Sequence, residues 1–236
     1  MRGLALRFGG DVIFDNLNFE VEAGRFLALL GPSGVGKTSL LRIIAGLEAP
    51  AAGSVMASDS KPLSGRVAYM AQQDLLLPWA SVLNNVMLGA TLRGEKKDPA
   101  RAAHLLAQVG LAGRERALPA ALSGGMRQRA ALARTLYEQR PVVLMDEPFS
   151  ALDSITRARI QNLAAKLLAG RTVLLITHDP MEACRLGHHL LVLSGQPARL
   201  GGGIEVQGAP PRAADDPLVL RTQGQLLRTL GEMAPE

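Results

Sequence analysis

Cysteine occurs once, at Cys184, so no internal disulfide can form. A single thiol is compatible with a reducing compartment. Aromatic residues make up only 3% of the chain, too few for a base-stacking platform, and none interleaves with a basic stripe. The formal charge is +5, yet the longest basic run is Lys96-Lys97, which reads as mixed solvated surface. No nucleic-acid partner is expected. No apolar run approaches the ~18 residues needed to span a bilayer. The opening Met1–Arg7 is too short in its apolar part for a secretory signal. These absences point to a cytoplasmic chain, one that would serve a membrane only by docking on another protein.

What is present is a chain of 236 residues, 47% hydrophobic, long enough for a sizeable core. Asn16–Glu22 alternates Leu17, Phe19 and Val21 with polar residues, the pattern of a half-buried strand. Phe26–Leu30 is continuously apolar, as a strand buried on both faces should be. Residues 38–47 place Leu40, Leu41, Ile44 and Leu47 on one helical face. Turns around short strands fill 49–66, and Arg66–Met70 reads as a strand. From Ser81 to Glu138 the pattern is helical. Asp98-Pro99 opens one of these helices, with an N-cap followed by proline at the first position. Strand signals return at Val142–Met145, Thr172–Thr177 and Leu190–Leu193, with helices over 154–168 and 180–186. After Leu193 the chain reads as loop-rich, punctuated by Gly201-Gly202-Gly203 and Pro210-Pro211, with a short helix over 217–230. The order predicts an α/β unit with a parallel core sheet.

Gly31-Pro32-Ser33-Gly34-Val35-Gly36-Lys37-Thr38 fits G-x-x-x-x-G-K-[ST] between a strand and a helix. The glycines let successive N–H groups turn towards phosphate oxygens, and the helix N-terminus adds about half a positive charge. Lys37 is placed to reach the β- and γ-phosphates, and the Thr38 hydroxyl to bind Mg²⁺. Val142–Met145 ends on Asp146-Glu147, two carboxylates at the end of a buried strand. Adjacent strand residues point opposite ways, so Asp146 can hold the metal while Glu147 polarises a water. A single histidine after a strand is commonly structural, but Thr177-His178-Asp179 lies where a side chain could sense the γ-phosphate. Gln72, after another strand, is a weak signal by itself. Leu122-Ser123-Gly124-Gly125-Met126-Arg127-Gln128-Arg129 supplies a natural N-cap and free N–H groups for an anion.

Taken together these residues resemble the nucleotide-binding subunits of ABC transporters, over about residues 3–195. Gly31–Thr38 looks like Walker A, Val142–Glu147 like Walker B, and Leu122–Arg129 like the family signature. Ser150-Ala151-Leu152-Asp153 looks like the D-loop, His178 like the switch histidine and Gln72 like the Q-loop glutamine. The resemblance implies a P-loop NTPase core with a parallel sheet, an antiparallel β subdomain and an inserted helical subdomain. It divides the single domain 1–236 into a core (1–73 and 141–200), a helical part (74–140) and a C-terminal loop and helix extension (201–236).

The site it implies binds ATP through Phe8, Gly31, Pro32, Ser33, Gly34, Val35, Gly36, Lys37, Thr38, Ser39, Ser123, Gly124, Gly125 and Asp153. Phe8 would stack on adenine where relatives often carry Tyr, keeping the ring and losing the hydroxyl. Mg²⁺ falls to Thr38, Gln72 and Asp146, and catalysis to Glu147, His178 and Gln72. The implied assembly is a head-to-tail homodimer in which Ser123 and the Gly124 and Gly125 amides cap the partner's γ-phosphate. The helical part, with Gln72–Trp79 at its hinge, would form the groove for a coupling helix of integral membrane permease subunits, from the cytoplasmic face, with a solute-binding protein acting indirectly. Trp79, the only tryptophan, is either a core residue or part of that docking surface.

Asp146–Ser150 and the lack of a fused membrane span resemble importers. Leu76-Leu77-Pro78-Trp79 and Ser194–Arg199 are similar to the nitrate, sulfonate, taurine and thiamine-pyrimidine-precursor group. Leu186-Gly187-His188-His189 departs from the Ala-Asp-Arg common in relatives. No long C-terminal regulatory domain is expected. A soluble relative acting on nucleic acid or ribosomes is the competing reading, but such proteins carry tandem cassettes or a coiled-coil insertion. A P-loop kinase has no use for Ser123-Gly124-Gly125.

Overall fold

The computed structural model describes residues 1–233. β1 (Arg2–Phe8) and β2 (Asp11–Leu17) form an antiparallel hairpin. β3 (Phe26–Leu30) begins a second sheet and leads into α1 (Lys37–Ile44), after which β4 (Ala52–Ser54) returns to the free edge of β1. β5 (Val67–Met70) precedes a helical block of α2 (Val82–Val86), α3 (Leu88–Leu92), α4 (Pro99–Gln108) and α5 (Gly124–Tyr137). The chain then alternates: β6 (Val142–Asp146), α6 (Ser154–Leu167), β7 (Thr172–Ile176), α7 (Pro180–Leu186), β8 (His189–Ser194), β9 (Arg199–Glu205) and α8 (Pro217–Glu232). The large sheet runs β5-β6-β7-β3-β8-β9, with only β9 antiparallel to its neighbour. Among the described residues no helix is long and apolar enough to cross a membrane.

All five residues of β3 are buried, because side chains alternate between two covered faces. Leu27 and Leu29 join a core with α1 and the small sheet, whereas Ala28 and Leu30 join one with α7 and α8. Val143, Met145, Val173 and Leu175 face the helical block. Each fully buried leucine here contributes roughly 1.5–3 kcal/mol. The parallel strands therefore end together, and the loops that follow them share one edge.

Three expectations are corrected. The alternating segment Asn16–Glu22 is strand only up to Leu17. Asn16 takes a left-handed φ of 54°, and the Asn18 side chain replaces the ladder, accepting from the Gly3 N–H and donating to the Asn16 carbonyl. Leu17 and Phe19 stay buried all the same. The segment after Leu193 contains β9, which runs through Gly201-Gly202-Gly203. Glycines show no alternation and so conceal a strand. Here they let α8 approach, since a Cβ on Gly202 (φ +70°) would meet Thr229 Cγ2 at 2.8 Å. Finally, Glu147 does not continue β6 in extended form. It turns with φ 47° and donates its N–H to the Ile176 carbonyl.

The extension expected over 201–236 is thus β9 and α8, its last three residues lying outside the described residues. It is fastened by Arg212, which is buried. Arg212 donates to the carbonyls of Cys184, Arg185 and Gly187 at the end of α7, and to those of Val206, Gln207 and Gly208 after β9.

Candidate nucleotide site

The loop between β3 and α1 presents its N–H groups because its glycines allow unusual backbone angles. Gly36, the N-cap of α1, has φ 103°, and a Cβ there would meet Ile13 Cγ2 of β2 at 2.7 Å. Lys37 is buried and donates to the Gly31 carbonyl at 2.8 Å and the Pro32 carbonyl at 2.7 Å. Burial holds its ammonium below the ordinary range, with Glu147 and Asp146 opposing. Thr38, one residue on, donates its hydroxyl to Asp146 Oδ2 at 2.7 Å. Asp146 ends β6, and burial raises its carboxyl above the usual carboxylate range while the Thr38 hydroxyl opposes the shift.

Glu147 is the meeting point. Its Oε2 accepts from Gln72 Nε2 at 3.3 Å and lies 3.2 Å from His178 Nδ1. Gln72 follows β5 and His178 follows β7, the two strands that flank β6. A left-handed residue at this point is the kind of local strain found at functional sites. It turns the Glu147 carboxylate towards residues brought in by both neighbouring strands.

The structure thus gathers Lys37, Thr38, Asp146, Glu147, Gln72 and His178 at the carboxyl ends of the parallel strands, where α/β sheets bind ligands. A separate hollow of about 640 Å³ is lined by Pro141, Val142 and Thr172 at the opposite strand ends and contains none of these residues. Other expected site residues stand outside the cluster. Phe8 is 51% exposed at the tip of the β1–β2 hairpin, whose second strand touches Gly36. Pro32, Ser33 and Gly34 are exposed, Val35 is buried and Ser39 half-buried on α1.

Ser123 caps α5 as expected, accepting from the Met126 N–H at 3.3 Å, and like Gly124 it is exposed. Gly125 packs beside the D-loop, where a Cβ would meet the Ala151 carbonyl at 3.1 Å. Among the described residues no hydrogen bond joins Ser123 to Gly31–Thr38. Asp153 caps α6, accepting from the Thr156 N–H, and is exposed.

The segment after Gln72 is held from beneath. Asn85 is fully buried; it accepts from the Leu77 N–H and donates to the carbonyls of Leu77, Ala80 and Ser81. Arg134 of α5 donates to the carbonyls of Asp74 and Leu75. Leu75 and Trp79 are thereby presented to solvent, 59% and 76% exposed. Trp79 is therefore not a core residue. Asn85 and Arg134 had no sequence signal, because nothing in their own neighbourhood marks the loop they hold.

The profile of the ABC transporter family matches residues 14–150. The chain is 44% identical over 227 residues to the aliphatic sulfonates import ATP-binding protein SsuB 1 of Rhodococcus jostii, covering 95% of this chain and 90% of that protein. It is 41% identical over 236 residues to an uncharacterized ABC transporter ATP-binding protein of Haemophilus influenzae, covering 98% of each. Its fold matches the ATP-binding cassette MJ0796, solved as a dimer in a post-hydrolysis state bound to ADP and Pi. The TM-score is 0.78 and the identity 30%, over 88% of this chain and 98% of that one. The chain belongs to the ABC transporter family, as an ATP-binding and ATP-hydrolysing subunit.

Proposed function

We propose that this subunit powers the import of a small sulfonate-class solute through a separate membrane permease, working as a head-to-tail homodimer. The convergence of Gln72 and His178 on Glu147, beside the Thr38–Asp146 pair, carries the catalytic part of the reading. Glu147 accepts the proton of the attacking water. Gln72 and His178 hold its carboxylate in place, and His178 senses the γ-phosphate. Lys37 and the loop N–H groups bind the β- and γ-phosphates, and Phe8 stacks on adenine.

Thr38 and Asp146, with Gln72 nearby, are all-oxygen donors of the kind Mg²⁺ takes, and two of them already meet at one point. Among the described residues no three His, Cys, Asp or Glu side chains stand together as a metal site, so phosphate oxygens and waters would complete the shell. Held there, Mg²⁺ would neutralise charge on the β- and γ-oxygens.

The exposed Ser123, Gly124 and Asp153 support an assembly in which they act on the partner's nucleotide, and the dimeric relative supports it too. Exposed Leu75 and Trp79 suit permease docking, and the reading has the chain bound peripherally at the cytoplasmic membrane face. The division into a core, a helical part over 74–140 and an extension from 201 belongs to the same reading. The solute class rests on the sulfonate-import relative and on Leu76–Trp79. Co-purification of the permease and its binding protein, followed by a solute screen, tests it. An alkylsulfonate or taurine should bind most tightly. Nitrate or hydroxymethylpyrimidine as the preferred solute would replace the sulfonate reading.

A further inference from the structure

The same arginine device occurs twice. In α5 the N-cap is Ser123, and Arg127 stands four residues later. Its Nη1 donates to the carbonyl of Leu122, the residue before the cap, at 2.9 Å, and its Nε donates to Asp74 Oδ2 at 3.0 Å. In α6 the N-cap is Asp153, and Arg157 stands four residues later. Its Nη2 donates to the carbonyl of Leu152, again the residue before the cap, at 2.7 Å, and its Nη1 lies 4.0 Å from Asp179 Oδ2. Asp74 is two residues after Gln72, and Asp179 is one residue after His178. Gln72 and His178 are the two side chains that meet on Glu147 Oε2.

We infer that Arg127 and Arg157 are positioning residues, each joining a loop aimed at the partner's nucleotide to a loop that holds Glu147 over this chain's own. The inference rests on the head-to-tail dimer proposed above. Each guanidinium is planar and forked, so one side chain can satisfy a carbonyl and a carboxylate at once. Both aspartates are anchored as well. Asp74 Oδ1 accepts from the Leu76 N–H at 3.1 Å, and Asp179 Oδ1 accepts from the N–H groups of Met181 and Glu182 at the start of α7. Movement of Ser123 is therefore handed to the Gln72 loop, and movement of Asp153 to the His178 loop. Arg157 carries the weaker aspartate contact, and its Nε is buried with no partner among the described residues. The Arg127 link is accordingly the stronger of the two. Lysine offers one nitrogen where each arginine uses two separate nitrogens of a planar fork, so it does not replace either arginine.

The test is a double-mutant cycle on the full chain with Arg127→Gln and Asp74→Asn, read by ATPase kcat, KM for ATP and thermal midpoint. Asn at 74 keeps an oxygen for the Leu76 N–H and replaces the oxygen that accepts from Arg127 by an amide nitrogen that cannot accept. Each single variant should lower kcat roughly tenfold with KM little changed, because loss of alignment acts on the chemical step. The double variant should be no worse than the poorer single one. Arg127→Lys should recover little, and Arg157→Gln with Asp179→Asn should repeat the pattern with a smaller loss. Multiplying losses, wild-type kcat in the single variants, or a fall in kcat that tracks the thermal midpoint would each overturn the link. ATP-driven dimerisation of a Glu147→Gln chain is measured alongside. If that chain stays monomeric, the dimer reading fails. If it dimerises while the arginine variants turn over normally, the link alone fails.

Discussion

At the strand ends the polar side chains of the site meet one another; on the helical lobe the residues that should touch phosphate face solvent. Thr38 meets Asp146, and Gln72 and His178 meet Glu147, at 2.7–3.3 Å, while Lys37 is held by the carbonyls of Gly31 and Pro32, all within one chain. Ser123 has its cap bond to Met126 and little else. The contrast shows what each half requires. The first is preorganised by three parallel strands whose register fixes the spacing of their terminal residues. The second is a helix N-terminus with free N–H groups, to which the proposed dimer would bring the partner's phosphate.

The sharpest way to break the first half is Glu147→Gln, which keeps the shape and removes the proposed base. Turnover should fall by roughly 10²–10⁴ while ATP still binds. Phosphate release and nucleotide titration on one preparation check both. A variant that hydrolyses at near wild-type rate would transfer the base to another group. The next prediction tests the division between the halves. Ser123→Arg and Lys37→Ala chains, each inactive alone, should regain one working site of two when mixed. If no ratio of the two exceeds the sum of the separate chains, Ser123 does not act in trans.

Stability separates the regions too. Asn85→Ala leaves the Leu77, Ala80 and Ser81 backbone groups without their buried partner and should cost about 2–3 kcal/mol by urea unfolding. A cost within 0.5 kcal/mol, the ordinary size for a surface change, would mean that the loop over residues 72–81 holds itself.

The smallest effect concerns His188, whose Nδ1 accepts from the Phe26 N–H at the start of β3. Burial first, then Arg25, Arg212 and His189, hold its pKa below the ordinary 6.5, with Glu22 opposing. The unfolded chain therefore binds this proton more readily than the folded one. Stability is complete above about pH 6.5 and falls as pH drops through that value towards the lower folded one. His188→Gln should flatten the melting temperature across this window relative to wild type, and an unchanged slope would assign the dependence to other groups.

Much of the first half was legible in the sequence because its signals are contiguous. The phosphate loop is eight adjacent residues, and Asp146-Glu147 close an apolar run. Their pairing with Gln72, 75 residues away, was not written in any local pattern; only the family resemblance supplied it. The left-handed turn at Glu147 escaped because alternation assumes that extended backbone continues. β9 escaped because three glycines carry no hydropathy. Arg127 and Arg157 were visible as letters, but a guanidinium that serves two distant loops has meaning only once those loops are folded together. The helix starts at Pro99, Gly124 and Pro180 were readable because their N-caps, Asp98, Ser123 and Asp179, are local chemistry.

The carbonyls gathered around Arg212 set a boundary for anyone shortening or extending this protein. A chain cut after Glu205 would keep every strand of the large sheet and would look complete on a topology diagram. It would nevertheless strand the carbonyls of Cys184, Arg185 and Gly187 without the donor they share. At about 1–3 kcal/mol for each buried unsatisfied group, that loss is comparable to the whole margin of about 5–15 kcal/mol holding a typical domain folded. A deletion that removes residue 212 unravels the end of α7, the helix that follows His178.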